Sequence, residues 1–203
     1  MTRIPDAEER MVDLDVGHPL WDRFFWVAPL VLVGTLEEDG AFDLAPKHMA
    51  MPMGWQNLFG FVCTPRHGTY VNARREGGFA VSWPGPGQLV QTSLAAAPRE
   101  NGDKPSVAAF PVEAAAVVPG AVVPGACLQM ECELERIVDG FGDNSLIVGR
   151  VVAARGQESV LRDPDRDDAD LIRAAPVLAY LHPGRLAFIG DTQAFPFPAG
   201  MRK

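Results

Sequence analysis

The chain has 203 residues, of which 47% are hydrophobic and 22% are charged, the composition of a globular protein that can bury a sizeable core. Its formal net charge of −8 excludes the broad basic surface that nucleic-acid-binding proteins use, so we expect no nucleic-acid partner. The three cysteines, Cys63, Cys127 and Cys132, include no CxxC pair and predict buried free thiols rather than disulfides or structural zinc.

The N-terminal sequence, MTRIPDAEERMVDLD, is acidic and polar and is not typical of a signal peptide. No apolar run approaches the roughly 20 residues that a bilayer-spanning helix needs. We therefore expect a cytoplasmic protein without a membrane partner. Residues 1–20 are predicted to form an N-terminal extension, residues 21–190 one domain, and residues 191–203 a C-terminal tail.

The first half of the chain predicts strands joined by turns and one longer helix. VAPLVLVGTLEEDGAFDLAP predicts two strands around an Asp39-Gly40 turn, because Asp-Gly between apolar runs is a strong hairpin signal. NLFGFVC predicts a buried strand. PRHGTYVNARRE predicts a helix that Thr64 caps, that has Pro65 at its first position and that Gly77 ends. GFAVSWP predicts a strand, GQLVQTSLAAAP a short helix and RENGDKPS a loop.

The second half is dominated by a long hairpin. CLQMECELERIV alternates apolar and polar residues, which predicts an antiparallel strand with one solvated face. That polar face comprises Gln129, Glu131, Glu133 and Glu135. DGFGDN predicts the turn and SLIVGRVVAAR the partner strand; DPDRDDADLIRAA predicts an acidic helix start and RLAFIG a last strand. The whole pattern predicts a mainly β protein with a few helices, arranged as a small antiparallel barrel.

The first candidate site follows the NLFGFVC strand. Arg66, Thr69 and Asn72 recur every three residues, so they would lie along one side of the predicted helix near its N-terminus. Free backbone amides at a helix start attract anions, and a guanidinium suits a phosphate. A phosphate monoester is the ligand that this pattern favours. The alternative is an ordinary polar helix face.

The second candidate site is DLAPKHMAMPMGW, at the end of the second predicted strand. Small residues and proline allow backbone amides to approach a planar ligand closely, and Lys47 and His48 add charge or hydrogen-bond donors. The alternative is a loop with a solvated Lys-His pair.

A metal site is not expected. Asp163, Asp165 and Asp167 have the spacing of the first calcium-loop ligands, but Asp168 stands at the glycine position and Ala174 at the glutamate position. The four histidines show no ligand spacing.

Together these segments resemble the flavin reductase-like family, whose fold is the FMN-binding split β-barrel with Greek-key antiparallel strands. DLAPKHM is similar to the family's N-L-A-P-x-S loop and FVCTPRHGTYVN to its R-x-x-T-x-x-N phosphate helix. GGFAVSWP and ECELERIVDGFGDNSLIVGRVVAA are similar to its following strand and its long hairpin. The resemblance covers roughly residues 20 to 190.

The resemblance implies a homodimer with one FMN per subunit, whose ring lies along residues 43–49 and whose phosphate is held by residues 64–72. It assigns to FMN the residues Asp43, Ala45, Pro46, Lys47, His48, Met49, Thr64, Arg66, His67, Thr69, Asn72 and Lys104. Two departures stand out: Asp43 replaces the usual Asn, and Lys47-His48 replaces a more common aromatic-Ser pair. No catalytic side chain is expected, because the flavin carries the chemistry.

The implied function is an oxidoreductase in which NADH or NADPH reduces FMN, which passes electrons to a small-molecule or protein acceptor. Three alternatives stay open. They are a non-catalytic FMN electron carrier, a barrel that has lost cofactor binding, and a relative of pyridoxamine-phosphate oxidases. For the last of these, no second basic cluster that would bind another phosphate is visible in the sequence.

Overall fold

The computed structural model describes residues 10–99, 104, 107, 111–198 and 200. Residues 1–9 of the predicted extension, most of the predicted RENGDKPS loop, and residues 199 and 201–203 of the tail lie outside the described residues. The strands are β1 (Trp26–Ala28), β2 (Val31–Leu36), β3 (Phe42–Lys47), β4 (Ala50–Pro52), β5 (Leu58–Cys63), β6 (Gly78–Trp83), β7 (Glu113–Ala114), β8 (Ala121–Val122), β9 (Leu128–Phe141), β10 (Asn144–Gly156), β11 (Val177–His182) and β12 (Arg185–Ile189). The helices are α1 (Gly68–Glu76), α2 (Leu89–Leu94) and α3 (Asp168–Ala174), with 3-10 turns at Pro86–Gln88 and Glu158–Val160.

Seven antiparallel strands form one curled sheet in the order β3-β2-β6-β9-β10-β5-β4. Strands β3 and β4 lie at opposite edges of this order, yet only His48 and Met49 separate them in the chain. Three peptide links span at most about 11 Å, so the two edges must approach each other at this point. The sheet is therefore a half-barrel, and the prediction of a mainly β protein built on an antiparallel barrel is confirmed.

The β2–β3 hairpin has the predicted turn, with Gly40 at φ +87°. Its register pairs Thr35 with Asp43 and Val31 with Lys47. Because side chains alternate between the two faces of a sheet, Asp43 and Lys47 lie on the same face of β3. Helix α1 packs against β2 and β3 on this face.

The core inside the barrel is apolar and closely packed. Phe61 of β5 and Phe79 of β6 meet edge to face, with ring centroids 5.1 Å apart, and both are fully buried. Gly34 of β2 allows the β8 segment to approach, since a Cβ atom at this position would lie 2.0 Å from the carbonyl oxygen of Ala121. These close contacts tie the β7–β8 segment to the barrel.

A second sheet of β1, β11 and β12 lies beside the point where β3 passes into β4. It pairs Trp26 with His182. Strand β12 was predicted, but β1 was expected to be part of one strand with β2, and β11 was not predicted at all. The break falls at Pro29-Leu30, because β1 pairs with β11 whereas β2 pairs with β3 and β6.

Helix α1 begins three residues later than predicted. The N–H of His67 donates to the carbonyl of Thr64 (3.1 Å), so residues 64–67 form a turn, and His67 is extended (φ −87°, ψ 144°). Proline's fixed φ suits the second position of a turn as well as the first position of a helix, which is why the prediction failed here. Thr64 is therefore not the helix cap. The predicted end is confirmed, with Gly77 in the left-handed conformation.

The polar face of β9 is not solvated along its length as predicted. Gln129 and Glu131 are 7% and 6% exposed, because the segment that contains β7 and β8 covers them. The Glu131 carboxylate accepts hydrogen bonds from the backbone N–H groups of Ala116 (3.0 Å) and Val117 (2.7 Å). Glu133 and Glu135, further along the strand, are exposed.

All three cysteines are free thiols, as predicted. Cys63 and Cys132 are buried, whereas Cys127 is only half-buried, which corrects the prediction for that residue. Burial, with the neighbouring Glu131 charge, raises the pKa of Cys132 to about 12. Among the described residues, no helix is long and apolar enough to cross a membrane, and no group of three or more His, Cys, Asp or Glu side chains is placed to hold a metal ion.

Candidate functional site

The two candidate segments meet where helix α1 begins against strand β3. The Thr69 hydroxyl of α1 donates to Oδ2 of Asp43 on β3 (3.2 Å), and both side chains are buried. This contact brings the turn at residues 64–67 next to the inner face of β3.

Asp43 is a buried carboxylate held by two cations. Its Oδ1 lies 3.3 Å from Arg99 Nη2 and 3.3 Å from Lys104 Nζ, at ion-pair distance but without hydrogen-bond geometry. Lys104 Nζ donates to the carbonyl of Leu44 (2.6 Å), and Arg99 also pairs with Glu37. Burial lowers the pKa of Lys104, and the Asp43 charge opposes that effect.

Several cations act together at His67, immediately before α1. Burial is the largest cause that lowers the pKa of this imidazole, and the positive charges of Lys47, Lys104 and Arg66 lower it further. The negative charge of Asp43 opposes these effects. Several positively charged side chains therefore lie near the start of α1, in a chain whose net charge is −8.

Lys47 lies at the end of β3, where its Nζ contacts the Sγ atom of Cys63 across 3.4 Å. Cys63 ends β5, near the opposite edge of the sheet, so this contact joins the two edges of the half-barrel. Lys47 is thus directed across the barrel mouth rather than into bulk solvent.

His48 lies in a cluster of rings. It stacks on His182 (centroids 5.3 Å apart, planes at 21°) and contacts the rings of Tyr180 (4.9 Å) and Trp26 (5.7 Å). Burial, then the His182 and Lys47 charges, lower the pKa of His48 and favour its neutral form. Three buried ring nitrogens have no hydrogen-bond partner among the described residues: Trp26 Nε1, His48 Nε2 and His182 Nδ1.

A cavity of about 460 Å³ borders this cluster. Its wall combines ring faces and flexible apolar side chains, among them Trp21, Trp26, His48, Met49 and Met51. We call this the ring-lined cavity.

The three residues of the predicted phosphate motif do not share one helix face. Arg66 lies in the turn before α1, where its side chain is 77% exposed and its Nη2 is 3.8 Å from Oδ2 of Asp143. Asn72 points into the protein and donates to the hydroxyl of Thr35 (3.1 Å). Thr69 is bonded to Asp43, as described above.

The remaining predicted residues are divided between the two regions. Ala45 and Pro46 lie within β3, Met49 lines the ring-lined cavity, and Thr64 begins the turn, where its buried Oγ1 has no hydrogen-bond partner among the described residues. The assignment of any of these residues to a cofactor stays a prediction.

The residues that the sequence interpretation missed come from distant parts of the chain. They are Glu37, Arg99, Trp26, Tyr180 and His182. The only local signal was for Arg99, a second cation close to Lys104 in a predicted loop; nothing local links Trp26 or His182 to His48.

A family model described as "Flavin reductase like domain" matches residues 26–182. The chain therefore belongs to the flavin reductase-like family. The predicted boundaries after residues 20 and 190 stay predictions.

Solved structures with the same split-barrel fold cover nearly the whole chain. Flavoredoxin from Methanosarcina acetivorans is 18% identical, covering 95% of this chain and 98% of that one, with a TM-score of 0.75. Nitrilotriacetate monooxygenase component B from Bacillus cereus is 19% identical, covering 93% and 100%, with a TM-score of 0.77. An FMN-binding protein from Thermus thermophilus, with bound 1-cyclohex-2-enone, is 21% identical, covering 92% and 99%, with a TM-score of 0.73. Among curated proteins, a sequence search finds no match.

Proposed function

We propose that this member of the family is an FMN-dependent oxidoreductase that takes electrons from NADH or NADPH and passes them to a small-molecule or protein acceptor. The observation that carries the proposal is the start of α1, where the first backbone N–H groups of the helix lie beside Arg66 and the helix packs against β3 through the Thr69–Asp43 hydrogen bond. The FMN-binding protein of the same fold from Thermus thermophilus adds support.

The residues present fit FMN at both ends. The first N–H groups of a helix have no intrahelical acceptors, so those of Gly68 and Thr69 suit a phosphate, with Arg66 and His67 beside them. The orphaned Thr64 hydroxyl is a further donor in the same turn. Along residues 43–49, backbone groups of β3 and the Lys47 side chain would contact the flat ring.

When bound, the flavin supplies the hydride and electron transfer. The chain's own residues bind and orient it: the turn before α1 holds the phosphate, and β3 aligns the ring. Lys47 supplies positive charge that stabilises an electron-rich ring system, and Lys104 contributes less because Asp43 partly balances its charge. Neither lysine needs to donate or accept a proton in this role.

A homodimer is part of the proposal. Apolar side chains that border the ring-lined cavity are strongly exposed, including Val27 and Met51, and Trp55 after β4 is 96% exposed. Contiguous exposed apolar surface is typical of interfaces. Light scattering on Met51→Glu would test this, with Val90→Glu on the exposed side of α2 as the control; an unchanged dimer in Met51→Glu would contradict an interface on this face.

The cytoplasm is the compartment that we propose, since reduced nicotinamide cofactors are supplied there. Three free thiols agree with a reducing environment.

The deciding experiment is the visible absorption spectrum of the purified protein after incubation with FMN and removal of the excess by gel filtration. A retained and perturbed flavin spectrum, bleached by NADH or NADPH without oxygen, is the expected result. Retained FMN that neither nucleotide reduces would favour the electron carrier. If flavin is not retained, rapid anaerobic reduction of free FMN by NADH or NADPH in the presence of the protein would show a loosely held substrate, and its absence would show a barrel that no longer uses flavin.

A further inference from the structure

Asp43 lies within the group of cations at the start of α1. It is 3% exposed, and both Arg99 and Lys104 approach its Oδ1 to 3.3 Å. Its charge also acts on His67, against the effect of the surrounding cations. We call Lys47, Arg66, Arg99 and Lys104 the cation cluster.

The chain's own carboxylates engage part of the cation cluster. Arg99 pairs with Glu37 as well as with Asp43, and Lys104 is bound by Asp43 and the Leu44 carbonyl. Lys47 and Arg66 have no such buried carboxylate among their described contacts: Lys47 contacts a thiol, and Arg66 is exposed beside Asp143. The cluster therefore divides into Arg99 and Lys104, which a buried carboxylate compensates, and Lys47 and Arg66, which no buried carboxylate contacts among the described residues.

The engaged cations are close to the place where a ligand phosphate would bind. A Cβ atom on Gly68, the first residue of α1, would lie 3.0 Å from Nη2 of Arg99, so the guanidinium packs against the helix start. Thr69, the next residue, is bonded to Asp43 itself. Thus the carboxylate and a ligand phosphate would act on the same few cations.

We propose that Asp43 is an internal counter-anion that determines how much negative charge the cation cluster accepts from a ligand. The inference rests on the proposed function, because it concerns the same site. The carboxylates of Asp43 and Glu37 balance the charges of Arg99 and Lys104 within the protein, and the ligand phosphate is held by Arg66, His67 and the helix start. Without the Asp43 charge, Arg99 and Lys104 would attract the ligand as well.

The test is the affinity of Asp43→Asn and the wild-type protein for FMN and for riboflavin, which has the same ring but no phosphate. Asparagine has the same shape and keeps an oxygen that accepts from Thr69, but it removes the charge and turns an NH2 group toward Arg99 and Lys104. We expect FMN to bind about tenfold more tightly to the variant at low salt, since unscreened charges a few ångströms apart interact by about 1 kcal/mol or more. Riboflavin affinity, which depends on the ring contacts along residues 43–49, should change much less than FMN affinity. Asp167→Asn, which removes the same charge at the α3 N-cap and keeps the cap, is the matched control.

A second measurement needs no flavin. The pKa of His67, followed by NMR, should fall further in Asp43→Asn, because Asp43 is the group that raises it. Inorganic phosphate should shift the His67 ring signals at lower concentration in the variant than in the wild type. If the substitution had only loosened the packing around His67, the pKa of His67 would instead move toward its ordinary value.

The outcomes separate the inference from the proposed function. Suppose that the wild-type protein binds FMN. If Asp43→Asn then changes the affinities for FMN and riboflavin by the same factor, or changes neither, Asp43 does not select for ligand charge and the inference is wrong. If the wild-type protein binds no FMN, the proposed function fails, and the phosphate titration still decides: equal phosphate affinity in both proteins overturns the inference.

Discussion

The side-chain amide of Asn72 in α1 donates to the hydroxyl of Thr35 in β2 across 3.1 Å, and both side chains are almost completely buried. The pair lies in the interface between the helix and the barrel. Asn72 is therefore built into the support of the candidate site, although the sequence pattern assigns it to the phosphate.

Replacing Asn72 with Ala should lower the free energy of unfolding by about 1–3 kcal/mol, because the buried Thr35 hydroxyl loses its partner. Urea denaturation of Asn72→Ala, Thr35→Val and the double variant measures the coupling between the two residues. A coupling energy near zero would contradict a structural pair. If Asn72→Ala weakens FMN binding while Thr35→Val does not, Asn72 contacts the phosphate after all.

Arg66 should matter for a phosphorylated ligand only. Arg66→Ala should weaken FMN binding by about 1.5–3 kcal/mol, the loss of one charge-assisted hydrogen bond, and leave riboflavin binding unchanged. Arg162 is the matched control, because its side chain is also 77% exposed and paired with an aspartate. Titration of flavin fluorescence gives both affinities; unchanged FMN affinity in Arg66→Ala would remove this residue from the site.

Gly34 should not tolerate a side chain. In Gly34→Ala the new methyl group would meet the Ala121 carbonyl oxygen at 2.0 Å, so the backbone of β2 or β8 must move. We expect a loss of about 1–3 kcal/mol of unfolding free energy, measured by urea denaturation. Gly85→Ala, where φ is −78° and no heavy atom lies within 4 Å, should change stability by less than about 0.5 kcal/mol. Equal effects of the two substitutions would argue against the close approach of β8.

His48 should make stability depend on pH below neutrality. Its pKa is lowered in the folded protein, so below its ordinary value of about 6.5 the unfolded chain binds a proton that the folded protein does not. The free energy of unfolding should therefore fall as pH decreases from about 6.5 toward the lowered pKa of the folded state.

Denaturation of the wild type and His48→Phe at several pH values measures this contribution. Phenylalanine keeps a ring in the stack and cannot bind a proton, so the pH dependence should be shallower in the variant. The pKa of His67 is also lowered, so His67 adds a pH dependence of the same sign to the free energy of unfolding. This residue is present in both proteins, so its contribution does not affect the comparison. A slope that His48→Phe does not alter would show that His48 stays protonatable when folded.

Elements with strong local signals could be predicted from the sequence. The Asp39-Gly40 turn and the alternating strands on either side place β2 and β3, and the left-handed Gly77 ends α1 as expected. The start of α1 could not be placed in the same way, since Pro65 is equally compatible with a turn and with a first helical position. The burial of Glu131 escaped prediction because alternation reveals two faces but not what covers them.

The sequence by itself determined the strand and turn pattern, the family resemblance and the segments that carry the candidate site, because short-range backbone preferences and side-chain periodicity are local properties. Only the tertiary structure decided that Arg99 and Lys104 compensate Asp43, that Asn72 supports α1, and that His182 stacks on His48. Those contacts join residues far apart in the chain. They arise from how the sheet curls and what packs against it, and no local spacing encodes that arrangement.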